Sequence, residues 1–265
     1  MILPLPLTAL LLGLVEGITE FLPISSTGHL ILVGRACGLT GDRAEVFEIF
    51  IQIGAVLAVI VEYRAKLLAV ARGAMSDTPE RSFAKSVAIA FLPAAGAGLL
   101  FQHWISKHLF GPATVAAALV VGAVAILAVE RWKPAPLIDR ADRVDPRRAA
   151  LIGLAQCVAL WPGFSRSAAT ILGGLLCGLE RKAATEFSFF LAIPTLSAAT
   201  VYHLWRKRDA LIPGDLLWLL VATAVSFVVA WASIRWLLRF VATHDLKPFA
   251  WYRIAVGFLV WWGMR

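Results

Sequence analysis

Long apolar blocks, separated by short polar or basic stretches, make up most of the sequence. Six of these blocks are predicted to form membrane-spanning helices: 47–61, 86–101, 113–129, 186–202, 216–234 and 249–263. A helix perpendicular to the bilayer needs about 20 apolar residues to cross it. Several blocks are shorter than this, so the pattern predicts tilted helices or local thinning of the bilayer.

Two further apolar segments, 3–33 and 149–178, are interrupted near their middle by polar residues, proline and glycine. The interruptions read EGITEFLPISSTGH and WPGFSRS. Irregular backbone at membrane depth is tolerated only where protein or a water-filled cavity surrounds it. Each segment is therefore predicted to form a re-entrant helix hairpin that enters and leaves on one side of the membrane.

The two interrupted segments belong to a faint internal repeat with an offset of about 140 residues. Residues 13–16 align with 153–156, 25–27 with 165–167, Pro23 with Pro162 and Glu48 with Glu186. The repeat predicts two halves, 1–130 and 149–265, joined by a polar connector at 131–148.

Basic residues predict the orientation of the chain. The stretches 64–85, 131–148, 181–182 and 235–247 hold most of the 25 Lys and Arg residues, which assigns these stretches to the cytoplasm. This orientation inverts the second half relative to the first. The predicted fold is an all-α integral membrane protein with an inverted-topology repeat, whose two hairpins meet at the membrane midplane.

Composition agrees with this fold class. Apolar residues make up 60% of the 265 residues and charged residues only 16%, against about 45–50% and 25% in soluble domains. A soluble enzyme is therefore excluded. The net charge of +8 follows the membrane topology and forms no basic stripe with interleaved aromatic residues, which excludes nucleic acid as a partner.

The first interrupted segment carries ionisable and nucleophilic groups. Glu16 and Glu20 share a helix face and are candidate ligands of a divalent cation, because carboxylates at membrane depth are costly without a metal, a proton or a cationic partner. A helix–helix contact is the alternative. Ser25, Ser26 and Thr27 stand where the outgoing helix begins, so helix capping is their simplest role. With His29 beside them, they also offer a nucleophile and a base.

The second interruption places Arg166 in an otherwise apolar stretch. Its planar fork suits phosphate, and the two outgoing helices would point their N-termini at one anion site. The alternative is an ion pair between Arg166 and Glu16 or Glu20. The adjacent spans place three more polar residues, Glu48, Gln52 and Glu186, where they line the same cavity or, for the two glutamates, mark the ends of spans.

The strings EGITEFLPISSTGHL and PGFSRSAAT, with EFSFFLAIP following, resemble the signatures of the undecaprenyl-diphosphate phosphatase family, also called the bacitracin-resistance protein family. The resemblance runs through nearly the whole chain. It implies a bacterial inner-membrane phosphatase that removes the terminal phosphate from the lipid carrier of cell-wall synthesis. It also implies a site that opens to the periplasm, an inverted-repeat fold and often a homodimer.

The family motifs assign functional residues to this sequence. The matching positions are Glu16, Glu20, Ser25, Ser26, Thr27, His29 and Arg166, with Ser165, Ser167 and Thr170 as supporting phosphate contacts. One departure is Ala168, where the family usually has glycine, so close approach of a phosphate to that backbone is less favourable.

These residues favour hydrolysis of a polyprenyl diphosphate whose chain lies among the helices, in contact with membrane lipid. Ser26 is the predicted nucleophile, and His29 or Glu20 accepts its proton. Glu16 and Glu20 are expected to hold Mg²⁺ or Ca²⁺ against the phosphates. Direct attack by a water molecule, activated by the same groups, is left open.

A membrane carrier for polyprenyl phosphate or a small anion is the alternative function, because inverted repeats and broken helices are common in secondary transporters. The combination of serine, histidine and glutamate favours chemistry, since a carrier needs no nucleophile beside a base. A structural scaffold would leave two glutamates and an arginine at membrane depth without a role.

Overall fold

The computed structural model describes residues 2–73 and 78–263, and within these ranges the chain forms eleven α-helices and no strand. The helices are α1 (Leu5–Thr19), α2 (Ser26–Cys37), α3 (Asp42–Glu62), α4 (Arg64–Gly73), α5 (Pro79–His108), α6 (Pro112–Trp132), α7 (Pro146–Gln156), α8 (Arg166–Leu176), α9 (Arg181–Lys207), α10 (Leu216–Thr243) and α11 (Lys247–Gly263). Residues 1, 74–77 and 264–265, which the predicted halves include, lie outside the described residues. The all-α membrane fold class is confirmed.

Five of the described helices are long and apolar enough to cross a membrane: α3, α5, α6, α9 and α10. Their shortest members, α3 and α6, have 21 residues, which corresponds to about 30 Å of rise. Each helix extends past its predicted apolar block because polar residues at its ends continue the helix, so thinning of the bilayer is not required. The sixth predicted span, 249–263, lies in α11, which has only 17 residues and packs along α6.

The first predicted hairpin is formed by α1 and α2, which are too short to cross a bilayer singly. The Ile2 N–H donates to the carbonyl of Cys37 over 2.9 Å, so the start of α1 lies beside the end of α2. The helix breaks at residues 20–25, and Ser25 begins α2 with a φ of 73°. The two ends of the hairpin therefore lie together, as the prediction of a re-entrant hairpin requires.

The second hairpin is formed by α7 and α8 and has the same design. Asp145 caps α7 by accepting hydrogen bonds from the Arg147 and Arg148 N–H groups. The Arg148 side chain donates to the carbonyl of Cys177 over 3.1 Å, which again brings the two ends of the hairpin together. Between the helices, Gly163 has a φ of 99° and packs so closely on α6 that a Cβ would lie 2.6 Å from a carbonyl oxygen.

Each hairpin packs on a helix from the other half of the chain: α1 on α10, and α7 on α5. Both contacts depend on a glycine. A Cβ on Gly13 would lie 2.5 Å from the Ala222 carbonyl oxygen, and a Cβ on Gly153 would lie 2.5 Å from that of Ala90. The two halves are thus interlocked, while their inverted orientation in the membrane stays a prediction.

The α3 and α9 helices run antiparallel. Lys207, at the end of α9, forms ion pairs of 2.8 and 2.7 Å with Asp42 and Glu45 at the start of α3. At the other end of the pair, Tyr63 packs on Phe190 near the start of α9. Residues near the two helix starts therefore lie far apart.

Candidate active site

The tips of the two hairpins meet in the interior of the protein. The Ser167 hydroxyl donates to the Leu22 carbonyl over 2.8 Å, which joins the two loops directly. Arg166 and Glu20 form an ion pair of 2.9 Å, and their side chains are only 10% and 6% exposed. Residues that lie 145 or 146 positions apart in the sequence are therefore in one buried cluster.

Glu20 is the centre of this cluster. Its Oε2 accepts a hydrogen bond of 2.6 Å from the Ser26 hydroxyl, while its Oε1 accepts the bond from Arg166. A short bond from a hydroxyl to a carboxylate is charge-assisted and strong. The geometry places one of the two predicted proton acceptors in direct contact with the predicted nucleophile and beside a cation suited to phosphate.

Arg166 is held by more than its ion pair. One terminal nitrogen donates to the Ser188 carbonyl over 3.1 Å and approaches the Ser188 hydroxyl at 3.3 Å. That hydroxyl also contacts the Thr170 hydroxyl at 2.7 Å. The ion pair with Glu20, left open by the sequence, is what the structure contains, whereas Ser188 was not predicted. Among the described residues, the buried Nε of Arg166 has no hydrogen-bond partner.

His29 lies beside the cluster but not in contact with the hydroxyl it was expected to serve. Its Nδ1 pairs with the Ser25 carbonyl at 2.7 Å, and its Nε2 pairs with the Tyr252 hydroxyl at 2.8 Å. Within the described ranges, neither bond involves Ser26. Of the two predicted proton acceptors, the geometry therefore favours Glu20. Tyr252 on α11 was missed because nothing in its local sequence links it to the hairpin.

The remaining hydroxyls of the loops serve mainly as helix caps. The Ser25 side chain accepts a bond from the Gly28 N–H at 3.5 Å, and the Ser165 side chain accepts one from the Ala168 N–H at 3.2 Å. Ser25 therefore has the capping role that was its simplest expectation, and Ser165, which the resemblance assigned to phosphate binding, caps its helix in the same way. Thr27 is half-buried in the first turn of α2.

Glu16 lies one helical turn from Glu20 and is only 2% exposed. Its Oε2 has no hydrogen-bond partner in the part of the chain that the structure describes. Glu20, Glu48 and Arg166 are close enough for their charges to act on it. An unpartnered buried carboxylate oxygen beside a second carboxylate suits a hard cation.

The fit to a metal ion is partial. The described residues contain no group of three or more His, Cys, Asp or Glu side chains that could hold a metal. Mg²⁺, however, is commonly bound by one or two carboxylates together with substrate phosphates and water. Glu16 and Glu20 therefore fit a cation whose other ligands come from a diphosphate, and they do not form a complete protein site.

The structure corrects the prediction that Glu48, Gln52 and Glu186 line one cavity. The Gln52 side chain accepts a hydrogen bond of 3.1 Å from the Thr200 hydroxyl. Glu48 is close enough to Glu16 for their charges to interact. Glu186 is near the opposite end of the antiparallel α3 and α9 helices. It lines a separate pocket with Glu62, Tyr63, Lys182 and four residues of α10: Arg235, Leu238, Arg239 and Ala242. Glu186 thus has the span-end position that was the alternative.

Arg253 on α11 is a second buried cation, with 0% exposure. It donates four hydrogen bonds of 3.1–3.2 Å to the carbonyls of Pro23, Ala118, Leu119 and Gly163. Two of these carbonyls belong to the hairpin loops. Arg253 stands within an apolar stretch of the sequence, and no local pattern there indicates this contact.

Comparison with known proteins places the chain in a family. The model of the family described as "Bacitracin resistance protein BacA" matches residues 9–259. An undecaprenyl-diphosphatase of Dechloromonas aromatica is 54% identical, with 96% of this chain and 93% of that protein covered. An undecaprenyl-diphosphatase of Cupriavidus metallidurans is 49% identical, with coverages of 97% and 94%.

A third similar protein, undecaprenyl-diphosphatase 1 of Chromobacterium violaceum, is 52% identical, and 96% of each chain is covered. The similarity therefore includes both hairpins and all the helices that hold the buried cluster. This chain belongs to the bacitracin resistance protein BacA family.

Proposed function

We propose that this protein hydrolyses undecaprenyl diphosphate to undecaprenyl phosphate and inorganic phosphate. The reaction recycles the lipid carrier of peptidoglycan synthesis and confers resistance to bacitracin. The observation that carries the proposal is the position of Glu20, which contacts both the Ser26 hydroxyl and the Arg166 guanidinium. A base, a nucleophile and a phosphate-binding cation thus meet in one buried cluster. The names of the similar proteins support the choice of substrate.

The terminal phosphate of the substrate binds where the hairpin tips meet. Arg166 exchanges part of its contact with Glu20 for the phosphate, and its unpartnered Nε supplies a further donor. The helices α2 and α8 both begin at the loops, so the free N–H groups at their N-termini and their helix dipoles favour an anion there. Fixed donors of this kind stabilise the charge of a transferring phosphoryl group.

Ser26 attacks the terminal phosphorus while Glu20 accepts the hydroxyl proton. A bond forms from the Ser26 oxygen to phosphorus, and the bond from phosphorus to the bridging oxygen breaks, which releases undecaprenyl phosphate. Water then hydrolyses the phosphoserine, giving inorganic phosphate and restoring the serine. In the other possible route, Glu20 activates a water molecule that attacks the same phosphorus directly.

A divalent cation, Mg²⁺ or Ca²⁺, is part of the proposal. Glu16 and Glu20 are the residues that would hold it, with the diphosphate supplying further oxygen ligands. When bound, such an ion neutralises phosphate charge and acts as a Lewis acid. Glu16 contributes the carboxylate oxygen that has no protein partner among the described residues.

The proposed location is the bacterial inner membrane, with the site open to the periplasmic face. The several apolar helices and the bacterial family support a multi-pass membrane protein. The distribution of basic residues supports the sidedness. The prenyl chain would lie among the helices and membrane lipids. A homodimer is also proposed, on the family resemblance alone.

The test is phosphate release from a C55 polyprenyl diphosphate by the purified, detergent-solubilised protein, with and without divalent cation. The expected result is metal-dependent release that is lost in Ser26→Ala and Glu20→Ala. Ser86→Ala is the matched control, because Ser86 is a buried serine that donates to a carbonyl away from the hairpin tips. Labelled phosphate trapped on Ser26 by rapid quench would support the covalent route over direct attack by water.

The alternative is a carrier for polyprenyl phosphate or a small anion. If the monodisperse wild-type protein retains bound lipid but releases no phosphate, the phosphatase proposal fails. A transbilayer movement assay in vesicles then tests the carrier. The direct contact of Ser26 with Glu20 favours the phosphatase, because transport alone requires no activated hydroxyl.

A further inference from the structure

Arg253 connects both hairpin loops to the same point of α6. One terminal nitrogen donates to the Pro23 carbonyl, and the other donates to the carbonyls of Gly163 and Ala118. Its Nε donates to the Leu119 carbonyl, and the guanidinium lies over the Phe164 ring with 5.8 Å to its centroid. Four of the five N–H donors of Arg253 therefore bond to the backbone of three different segments.

This arrangement is costly for a protein interior. A buried cation is normally paired with a carboxylate, because desolvation of an isolated charge is expensive. All the hydrogen bonds of Arg253 within the described residues go to backbone carbonyls, and none goes to a carboxylate. An apolar side chain of similar length would fill the same space at a lower cost, so packing alone does not account for an arginine here.

The position of the bonded carbonyls indicates what the arginine does. Pro23 and Gly163 each lie two residues before the serine that starts the outgoing helix. Those serines, Ser25 and Ser165, have φ values of 73° and 79°, a backbone region that residues other than glycine rarely adopt. Such backbone persists only where its surroundings fix it. By bonding to the carbonyls of Pro23 and Gly163, Arg253 fixes the backbone that leads into the serine in both loops at once.

We propose that Arg253 is a positioning residue of the phosphatase, which sets the distance between the two loops so that Ser26 and Arg166 reach the same phosphoryl group. The proposal rests on the phosphatase function above. Arg253 acts through the loop backbones, and its uncompensated positive charge also favours an anion at the loops. It touches neither Ser26 nor Arg166 through the hydrogen bonds described.

Two substitutions disturb Arg253 in different ways. Arg253→Lys keeps the charge but loses the planar fork that reaches several carbonyls. Gly122→Ala keeps the arginine but displaces it, because a Cβ at Gly122 would lie 1.9 Å from its Nη2. Gly257→Ala is the matched control. It adds the same methyl group to the same α6–α11 interface, where the nearest atom is a side-chain carbon of Val120 at 3.0 Å.

The experiment measures kcat and KM for C55 polyprenyl diphosphate, together with monodispersity and thermal unfolding in detergent. A misplacement of catalytic groups by about 1 Å lowers the rate by about 100-fold. The expected result is therefore a decrease in kcat of about this size in Arg253→Lys and Gly122→Ala, with KM changed by less than about threefold because the prenyl chain still binds. Gly257→Ala should keep the wild-type kcat.

A purely structural role gives a different result. It would lower the amount or the stability of folded protein, while kcat per folded molecule stayed at the wild-type value in both variants, and this outcome overturns the proposal. If Arg253→Lys does not fold, Gly122→Ala decides, since the three atoms nearest to its new methyl group all belong to the Arg253 guanidinium and none to the backbone. Absence of phosphate release in both the wild type and Gly257→Ala would instead mean that the phosphatase function itself is wrong.

Discussion

The two hairpin loops have nearly the same backbone but different chemistry. Ser25 and Ser165 start the outgoing helices with φ values of 73° and 79°, and each caps the N–H three residues further on. The next residue is Ser26 in the first loop and Arg166 in the second. One loop therefore carries a hydroxyl beside a carboxylate, whereas the other carries a cation.

The difference shows how a repeated scaffold can hold one asymmetric site. Glu16 in the first hairpin is replaced by Gln156 at the matching position of the second, so the acidic groups are confined to one half. The cation is confined to the other half. Neither loop has a complete set of groups for phosphoryl transfer, and the set is complete only where the two tips touch.

The largest effect is expected when the cation of the second loop is removed. Arg166→Ala should lower kcat/KM by about 1000-fold or more, because an arginine that stabilises phosphoryl transfer contributes on this scale. Arg166→Lys should also be poor, since a point charge lacks the bidentate fork. Phosphate release from C55 polyprenyl diphosphate, normalised to monodisperse protein, measures both effects.

Arg148→Lys is the control for this substitution. Arg148 also lies in the second hairpin and donates to a carbonyl, but at the end away from the tip. Its replacement should leave turnover unchanged. Wild-type turnover in Arg166→Ala would place phosphate binding elsewhere in the molecule.

The next effect comes from exchanging the residues at the matching positions 16 and 156. Glu16→Gln should lower kcat by ~10–100-fold and raise the Mg²⁺ concentration needed for half-maximal rate, because a ligand of the ion is lost. Gln156→Glu should give no gain in activity and should lower the Tm, since it buries a carboxylate without a cation. Titration of activity with Mg²⁺ and thermal unfolding distinguish the two. An unchanged Mg²⁺ dependence in Glu16→Gln would remove Glu16 from the proposed cation site.

A smaller effect, of the same size in both hairpins, is expected when the glycine at the matching positions 13 and 153 is replaced by alanine. Gly13→Ala and Gly153→Ala each place a Cβ 2.5 Å from a backbone carbonyl of a helix in the other half. The helices must separate, which should lower the free energy of unfolding by about 1–3 kcal/mol in both variants. Thermal unfolding measures the change, and Gly96→Ala is the control because a Cβ there meets nothing within 4 Å. A strong effect at only one position would show that the two interfaces are not equivalent.

The sequence predicted the hairpins and spanning helices because apolar blocks and their interruptions are local signals. The ends of the helices were placed too far inward, since charged residues such as Asp42 and Lys207 continue a helix that hydropathy alone would end. The cluster of Glu20, Ser26 and Arg166 was within reach because motif residues and the expected meeting of the tips point to the same place.

What the sequence did not predict depends on contacts between distant elements. Tyr252 and Arg253 reach the first hairpin from α11, and Ser188 reaches Arg166 from α9. Glu186 was grouped with Glu48 because both lie on spans adjacent to the hairpins, but α3 and α9 run antiparallel and separate them. Direction and packing of helices, which no local pattern contains, decided each of these cases.

The smallest effect concerns the polar connector, residues 131–148, between the two halves of the chain. Hydrogen bonds from Arg140 and Lys66 lower the pKa of Asp142 to about 2, and the bond from Lys66 ties the connector to α4. Because this pKa is below the value of about 3.9 in an unfolded chain, the stabilisation is fully present above that pH and is lost as the pH falls toward 2. Asp142→Asn should therefore lower the Tm by about 1–2 °C at neutral pH, the scale of a partly exposed ion pair. The difference in Tm between Asp142→Asn and the wild type should stay constant down to about pH 5 and shrink below about pH 4. Asp139→Asn, which removes a more exposed connector carboxylate, should change the Tm less. A difference that grew on acidification would show that Asp142 is not stabilised in its charged form.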